Sequence, residues 1–312
     1  MQEFNPKHAG IYITRKCNLR CTYCDVVKTT LNEIDIEQWY QVIETLKHIG
    51  IENLTILGGE PTAKDGLVDV VRYILDKTNL ELGIVSNGTS SLTVIDQLIE
   101  CGLQKFSSSI DTISGEGVDE HTILKSKMAM KIFEHIRSKS NIKLTAFFVL
   151  SKKSLTEIVP VVKHLSEKNI HTYILPYHYS QDGTKWSTRS YERNEYLALD
   201  NVNEEEMENV VQRIIDLKNE GYLVSNSVGY LSGLPSCIRK FAWHCPPWVA
   251  EIRIDSDGSL MCCHDFKGVV SPTYTVFDLM DNKKCEDFVK ARQKDSAMCS
   301  GCYWPGQYHR SL

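Results

Sequence analysis

Cys17-Asn18-Leu19-Arg20-Cys21-Thr22-Tyr23-Cys24 sets three thiols at C-x3-C-x2-C in one short loop. The loop follows an apolar run, Ala9 to Thr14, that reads as a β-strand. A cubane 4Fe-4S cluster has four irons and normally takes four cysteine ligands. Three cysteines in one loop therefore leave one iron open for chemistry. The competing reading is zinc, but structural zinc sites join a C-x2-C to a second close pair. Here a fourth nearby ligand is missing.

Outward from that loop, strand and helix signals alternate as far as residue 176. Asn53–Leu57, Leu82–Val85, Lys105–Ile110, Ile142–Leu150 and His171–Pro176 read as further strands. Between them, Ile36, Trp39, Ile43 and Leu46 fall at helical spacing behind a capping Asp35. Leu67–Leu75, Leu92–Cys101, Thr122–Arg137 and Leu155–Glu167 also read as helices, Pro160 bending the last or marking its true start. Such alternation implies parallel strands with right-handed crossovers, and six units suggest a partial (β/α)6 barrel.

Ligands bind at the C-terminal strand ends of such sheets. Gly58-Gly59-Glu60-Pro61 ends the second strand, Ser86-Asn87-Gly88 the third and Ser108-Ser109-Ile110-Asp111 the fourth. Each alone reads equally as an ordinary turn; together they describe one pocket. Ser86, Asn87 and Ser109 are placed to bond ribose or carboxylate oxygens, with turn and cap duty as the alternative. Asp111 is expected to cap the next segment rather than polarise a substrate.

C-x3-C-x2-C with an aromatic residue before the third cysteine resembles the cluster motif of the radical S-adenosylmethionine (radical SAM) superfamily. The resemblance implies that Cys17, Cys21 and Cys24 hold a 4Fe-4S cluster whose open iron chelates the methionine amino and carboxylate groups of SAM. One electron, from a donor such as flavodoxin or ferredoxin, then cleaves SAM, and the 5'-deoxyadenosyl radical takes a substrate hydrogen atom. It also implies a TIM-like partial barrel. Gly58-Gly59-Glu60 resembles the family's GGE motif, which bonds the SAM amino group: glycines admit close backbone approach and a carboxylate suits an ammonium. The resemblance sets Tyr23 near the adenine.

The chain has 11 cysteines, clustered at 17–24 and 237–302. Cys245 precedes a strand-turn-strand pattern, Ile252-Arg253-Ile254, Asp255-Ser256-Asp257-Gly258, Ser259 to Cys263, that reads as a β-hairpin. Cys299-Ser300-Gly301-Cys302 adds a C-x2-C. Cys245, Cys263, Cys299 and Cys302 suffice to ligate a second 4Fe-4S cluster fully. Cys262 could replace Cys263, but neighbouring strand residues point opposite ways, so only one should serve. A zinc ribbon needs two close pairs, and only one C-x2-C is present. The arrangement resembles the SPASM/Twitch extension of radical SAM enzymes. The shorter Twitch form fits better, since the chain ends soon after Cys302, and its spacing is similar to that of the 2-deoxy-scyllo-inosamine dehydrogenases. The expected organisation is a barrel over 1–200, a linking helix and segment over 201–236, and the auxiliary unit over 237–312.

Cys101 and Cys285 read as structural. Cys237 reads as a buried small residue, or as a hydrogen-atom donor to a product radical, as in radical SAM epimerases of this build. Tyr177, His178 and Arg253 are candidate substrate contacts, although a surface role is favoured for His178. Tyr177-His178-Tyr179-Ser180-Gln181-Asp182-Gly183, polar and aromatic, is expected to line the barrel mouth.

With 35 basic against 40 acidic residues, net charge −5, nothing argues for nucleic acid or an anionic membrane. No apolar run reaches the roughly eighteen residues of a membrane helix, and residues 1–10 lack a signal-peptide apolar region. A cytoplasmic protein with reduced thiols is expected. The expected function is radical oxidation of a small hydroxylated molecule, the second cluster accepting an electron. The rivals are maturation or epimerisation of a ribosomal peptide, disfavoured by the short stretch before Cys17, and a non-catalytic iron-sulfur or zinc protein.

Overall fold

A computed structural model describes residues 4–28, 31–179, 193–240, 244–245, 251–263, 268, 270–299, 301–303 and 305. Seven strands alternate with helices: β1 His8–Thr14, α1 Ile36–His48, β2 Asn53–Gly58, α2 Leu67–Lys77, β3 Glu81–Ser86, α3 Leu92–Glu100, β4 Lys105–Ser109, α4 Glu120–Lys139, β5 Lys143–Leu150, α5 Ile158–Glu167, β6 His171–Pro176, then α6 Glu204–Asn219, α7 Val228–Lys240, β7 Glu251–Ile254 and α8 Asn282–Ala297. The strands form one parallel sheet in the order β6-β5-β4-β3-β2-β1-β7. This is the partial TIM-like barrel expected from the sequence, extended by one strand.

The helices cover the convex face because their apolar spacing matches the outward side chains of the strands. Ile11, Ile56, Ile84, Phe106 and Phe148 join Trp39, Val70, Leu98, Phe133 and Val161 in a single core cluster. Asp35 caps α1 through a capping box with Gln38. The start of α4 lies earlier than Thr122, because Asp119 supplies the cap. Pro160 sits in the first turn of α5, where its missing N–H costs nothing.

Two elements differ from the sequence reading. α7 was hidden because Gly229, Gly233 and Pro235 lower helix propensity. Tertiary packing overrides this: Tyr230 stacks on Tyr303 at 4.5 Å, and each hydroxyl donates to the other's backbone carbonyl. Any Cβ at Gly233 would lie 2.3 Å from the Tyr303 hydroxyl.

β7 is the other. Its Asp255–Gly258 turn forms as expected, with Asp255 N–H donating to Ser259 O at 2.8 Å. The return arm folds back on β7 through Met261 N–H to Arg253 O at 2.9 Å and the Ile254–Leu260 bridge, and bridges Ser259 to Thr275. On its other edge β7 pairs with β1, Ile254 opposite Ile11, satisfying backbone groups that β1 would otherwise leave bare. The segment beyond β7 packs on the concave face, Met261 against Tyr12 and Leu57, and Cys302 against Leu175, Phe147 and Tyr173. Arg15 reinforces the β1–β7 seam with two buried hydrogen bonds to Asp255, at 2.8 and 2.6 Å. Among the described residues no helix is long and apolar enough to cross a membrane.

Candidate active site

The cysteine loop leaves β1 at the C-terminal edge of the sheet and is fastened to the two neighbouring strand ends. Cys24 N–H donates to Cys21 O at 3.1 Å. Cys17 Sγ accepts from Leu19 N–H at 3.4 Å and from Asn87 Nδ2 at 3.7 Å. Asn87 Nδ2 also donates to Asn18 at 2.9 Å, and its oxygen accepts from the Thr89 amide. Cys21 Sγ lies 3.7 Å from His121 Nε2 on α4. All three thiols are half-buried. Among the described residues, no group of three or more His, Cys, Asp or Glu closes on a single-ion point. A cubane spreads its thiolates over separate irons, farther apart than the ligands of one zinc, so an open half-buried thiol trio fits it.

Gly58 and Gly59 also serve the cysteine loop itself. Gly59 N–H donates to Thr14 O and Glu60 N–H to Lys16 O, each at 2.8 Å. A Cβ on Gly58 would lie 2.3 Å from Thr14 O, and one on Gly59 2.2 Å from Lys16 O. The glycines let the β2 end lie flush against the backbone that launches the cysteine loop. Gly59→Ala should therefore push the loop away. We expect a loss of about 1–3 kcal/mol together with lower iron retention, read by melting and iron assay; retained iron at native stability would overturn this.

Glu60 is buried, and its carboxylate is already in use. Ser86 Oγ donates at 2.9 Å, Asn87 N–H at 2.6 Å, Thr62 N–H at 3.1 Å and Thr62 Oγ1 at 2.6 Å. In this structure it brackets the ends of β2 and β3. Ser86 and Asn87 are thus brought together with Glu60 as a support for the loop. Ser109 ends β4 half-buried, in register with Phe147 on β5.

Behind Cys21 stands a group that sequence reasoning missed. Lys125 on α4 is buried, ion-paired to Asp111 and hydrogen-bonded to the Tyr23 hydroxyl. Burial opposes its charge, but Asp111, Tyr23 and Cys21 outweigh this and raise it well above the ordinary lysine range. Burial and then Asp111 push Tyr23 well up, so it stays a phenol. Burial also raises Cys21. Asp111 is no cap: its other oxygen accepts from Val149 N–H at 2.8 Å, joining β4 to β5. Lys125 carries no sequence signal, since a lysine in a charged helix reads as solvent-facing.

Glu157, beside α5, holds the turn after β4. It accepts from Ile113 N–H at 2.9 Å, Ser114 N–H at 3.2 Å, Glu116 N–H at 3.1 Å and the Ser114 hydroxyl. Burial would raise its pKa, but these donors outweigh it and hold it below the ordinary 4.5. A depressed carboxylate contributes stability that is whole above the unfolded pKa and is lost as pH falls through the folded one. The stability gap between the parent and Glu157→Gln should be full at pH 7 and shrink as pH falls below about 4.5. A gap independent of pH in denaturant melts would refute this.

At the mouth, Tyr177, His178, Tyr179, Leu199, Asp200, Cys237, Ile238 and Tyr303 border a narrow cavity. His178, two residues past the end of β6, is buried rather than on the surface, because it lines this cavity. Cys237 is half-buried on α7, and burial raises its thiol. Arg253 lies on the concave face across Gly10, paired with Glu251. Ser180-Gln181-Asp182-Gly183 falls outside the described residues. Cys101 and Cys285 pack against the core.

Of the second cysteine set, Cys262, Cys263 and Cys245 lie close enough to Arg292 on α8 to act on its charge. Cys262 lies beside Cys245 and Cys299, and burial pushes it up to about 12. Residues 262 and 263 form a bend rather than a strand, so alternation does not choose between them. Cys302 is buried against Leu175.

The family model of the radical SAM superfamily matches residues 11–179, more than half of the chain. The chain belongs to the radical SAM superfamily. SAM and a 4Fe-4S cluster are accordingly its cofactors. Among curated relatives, the GTP 3',8-cyclase of Peptoclostridium acidaminophilum is 24% identical over 268 residues, 81% of this chain and 78% of that protein. The GTP 3',8-cyclase of Limosilactobacillus fermentum is 24% identical over 288 residues, 87% and 83%. A probable GTP 3',8-cyclase of Archaeoglobus fulgidus is 32% identical over 108 residues, only 34% of this chain and 36% of that protein. Among solved structures, anSMEcpe with bound AdoMet and Cp18Cys peptide superposes with TM-score 0.61 at 16% identity, covering 97% of this chain and 94% of that one. Streptococcus suis SuiB bound to S-adenosylmethionine gives 0.60 at 16%, covering 83% and 60%. These likenesses concern the radical SAM fold. The relatives named here are cyclases, so the oxidoreductase expectation draws no support from them.

Proposed function

We propose that this radical SAM enzyme takes a hydrogen atom from the carbinol carbon of a small, uncharged, hydroxylated substrate, whose hydroxyl gives up its proton to solvent as the remaining electron passes to a second 4Fe-4S cluster, leaving a carbonyl. Cys17, Cys21 and Cys24 hold the first cluster, with Tyr23, Gly58, Gly59, Glu60, Ser86, Asn87 and Ser109 around SAM. Cys245, Cys263, Cys299 and Cys302 hold the second. When bound, the first cluster and SAM supply a 5'-deoxyadenosyl radical. The chain's own part is to fix the cysteine loop through Asn87 and the Glu60 bracket, and to shut the concave face with the segment beyond β7.

The observation that carries the substrate class is charge balance. Among the described residues the buried cations of the barrel, Arg15, Lys125 and Arg253, are each matched by a carboxylate, Asp255, Asp111 and Glu251, and only Arg292 on α8 is not. That leaves little for a triphosphate and suits a neutral polar ligand held by Tyr177 and His178. A second reading, peptide modification, is favoured by the superposition on peptide-bound anSMEcpe. An electron donor of the flavodoxin or ferredoxin type completes the proposal.

The test is anaerobic turnover with dithionite and three substrate sets: neutral polyols deuterated at the carbinol carbon, peptides, and GTP. Deuterium in 5'-deoxyadenosine from the first set supports the proposal; transfer only from a peptide or from GTP overturns it. Cys237→Ala should leave a dehydrogenase within about twofold of the parent. If hydrogen abstraction persists while product formation stops, Cys237 is the hydrogen donor of an epimerase.

A further inference from the structure

The buried lysines and arginines among the described residues are Arg15, Lys125, Arg253 and Arg292. The first three meet carboxylates. Arg292 differs. It is 5% exposed, on the inner face of α8. Burial opposes its charge, and the thiols of Cys262, Cys263 and Cys245, close enough to act on it, offset that cost. Its Nε is buried without a hydrogen-bond partner among the described residues. Asp295, one turn along α8, is held by the amides of Val270 and Ser271 at 3.0 and 2.6 Å.

A guanidinium keeps its charge at any ordinary pH, and a buried charge is costly without an opposite one. Neutral thiols do not provide it. A cubane bearing four thiolates does, because the assembly is an anion. Its sulfurs also accept N–H donors, which suits the orphaned Nε. We infer that Arg292 is the counter-cation and N–H···S donor of a second 4Fe-4S cluster held by Cys245, Cys263, Cys299 and Cys302, and that it raises the reduction potential of that cluster. This rests on the two-cluster reading above. The physical reason is direct. Reduction adds negative charge beside a fixed positive one, and hydrogen bonds to cluster sulfur stabilise the reduced form. A raised potential is what an acceptor of a substrate-radical electron needs.

The experiment uses the full chain carrying Cys17→Ala, Cys21→Ala and Cys24→Ala, so that only the second site can hold iron. Iron and zinc are assayed, and the midpoint potential is read by EPR-monitored titration for Arg292, Arg292→Lys and Arg292→Gln. The expected result is about four irons per chain, a clear negative shift for Arg292→Gln and a smaller one for Arg292→Lys. Loss of the cluster from Arg292→Gln with retention in Arg292→Lys would also support a counter-cation. An unchanged potential in Arg292→Gln with iron retained overturns the role of Arg292 alone, as does loss of iron from both variants in a folded chain. Zinc or no metal in the parent of this series removes the second cluster, and the inference with it.

Discussion

Cys17→Ala, Cys21→Ala or Cys24→Ala should each bring 5'-deoxyadenosine formation down to the level without enzyme. A cubane with three protein thiolates has no spare ligand, so losing one costs both the cluster and the chelating iron. The loop is held by other means as well: Asn87 bonds Asn18, Gly59 bonds Thr14 O, and Glu60 bonds Lys16 O. The fold should therefore survive, with a far-ultraviolet spectrum like that of the parent. Iron content then separates the sites. The parent should approach about eight irons per chain and each variant about four. A parent near four would remove the second cluster. A variant that still cleaves SAM would remove these cysteines from the role given them.

The second large effect concerns stability. Arg15→Met or Asp255→Asn should each cost about 3–5 kcal/mol, because removing one partner strands the other charge in the interior. The Arg15 and Asp255 side chains are 3% and 0% exposed and share two hydrogen bonds. Arg15→Met combined with Asp255→Leu should recover much of the loss, since an apolar pair of similar volume leaves no charge unmet. Denaturant melts under anaerobic conditions read all three. Single variants within about 1 kcal/mol of the parent would show the pair to be solvated. The loss should reach function too: Arg15 follows the strand that feeds the cysteine loop, and Asp255 begins the turn leading to Cys262 and Cys263.

Much of the barrel was legible because its strands and helices carry their own periodicity. Ile36, Trp39, Ile43 and Leu46 face the core whatever else the chain does, and Asp35 caps α1 with Gln38 beside it. α7 was not legible, since Gly233 and Pro235 speak against a helix and only the Tyr230–Tyr303 stack fixes one there. β7 was read as half of a hairpin because Asp-Gly is a strong local turn signal. The turn and its return contacts form, but nothing local says that the other edge of the strand joins β1.

For the site, the cysteines and the strand-end motifs were legible because the chemistry demands those residue types at those spacings. Their partners were not. Glu60 also accepts hydrogen bonds from Ser86, Thr62 and Asn87, which no local pattern announces. Asp111 was read as a cap and holds Lys125. Both are carboxylates whose role depends on which donors arrive from distant segments.

The sequence by itself determined the alternation of strands and helices, the superfamily and the thiols proposed to carry iron, since spacing along the chain encodes them. Only the tertiary structure decided what stands around those thiols: Asn87 and His121 at the first set, Arg292 at the second, and Lys125 behind Cys21. Those contacts join residues far apart in the chain, and burial sets their electrostatics.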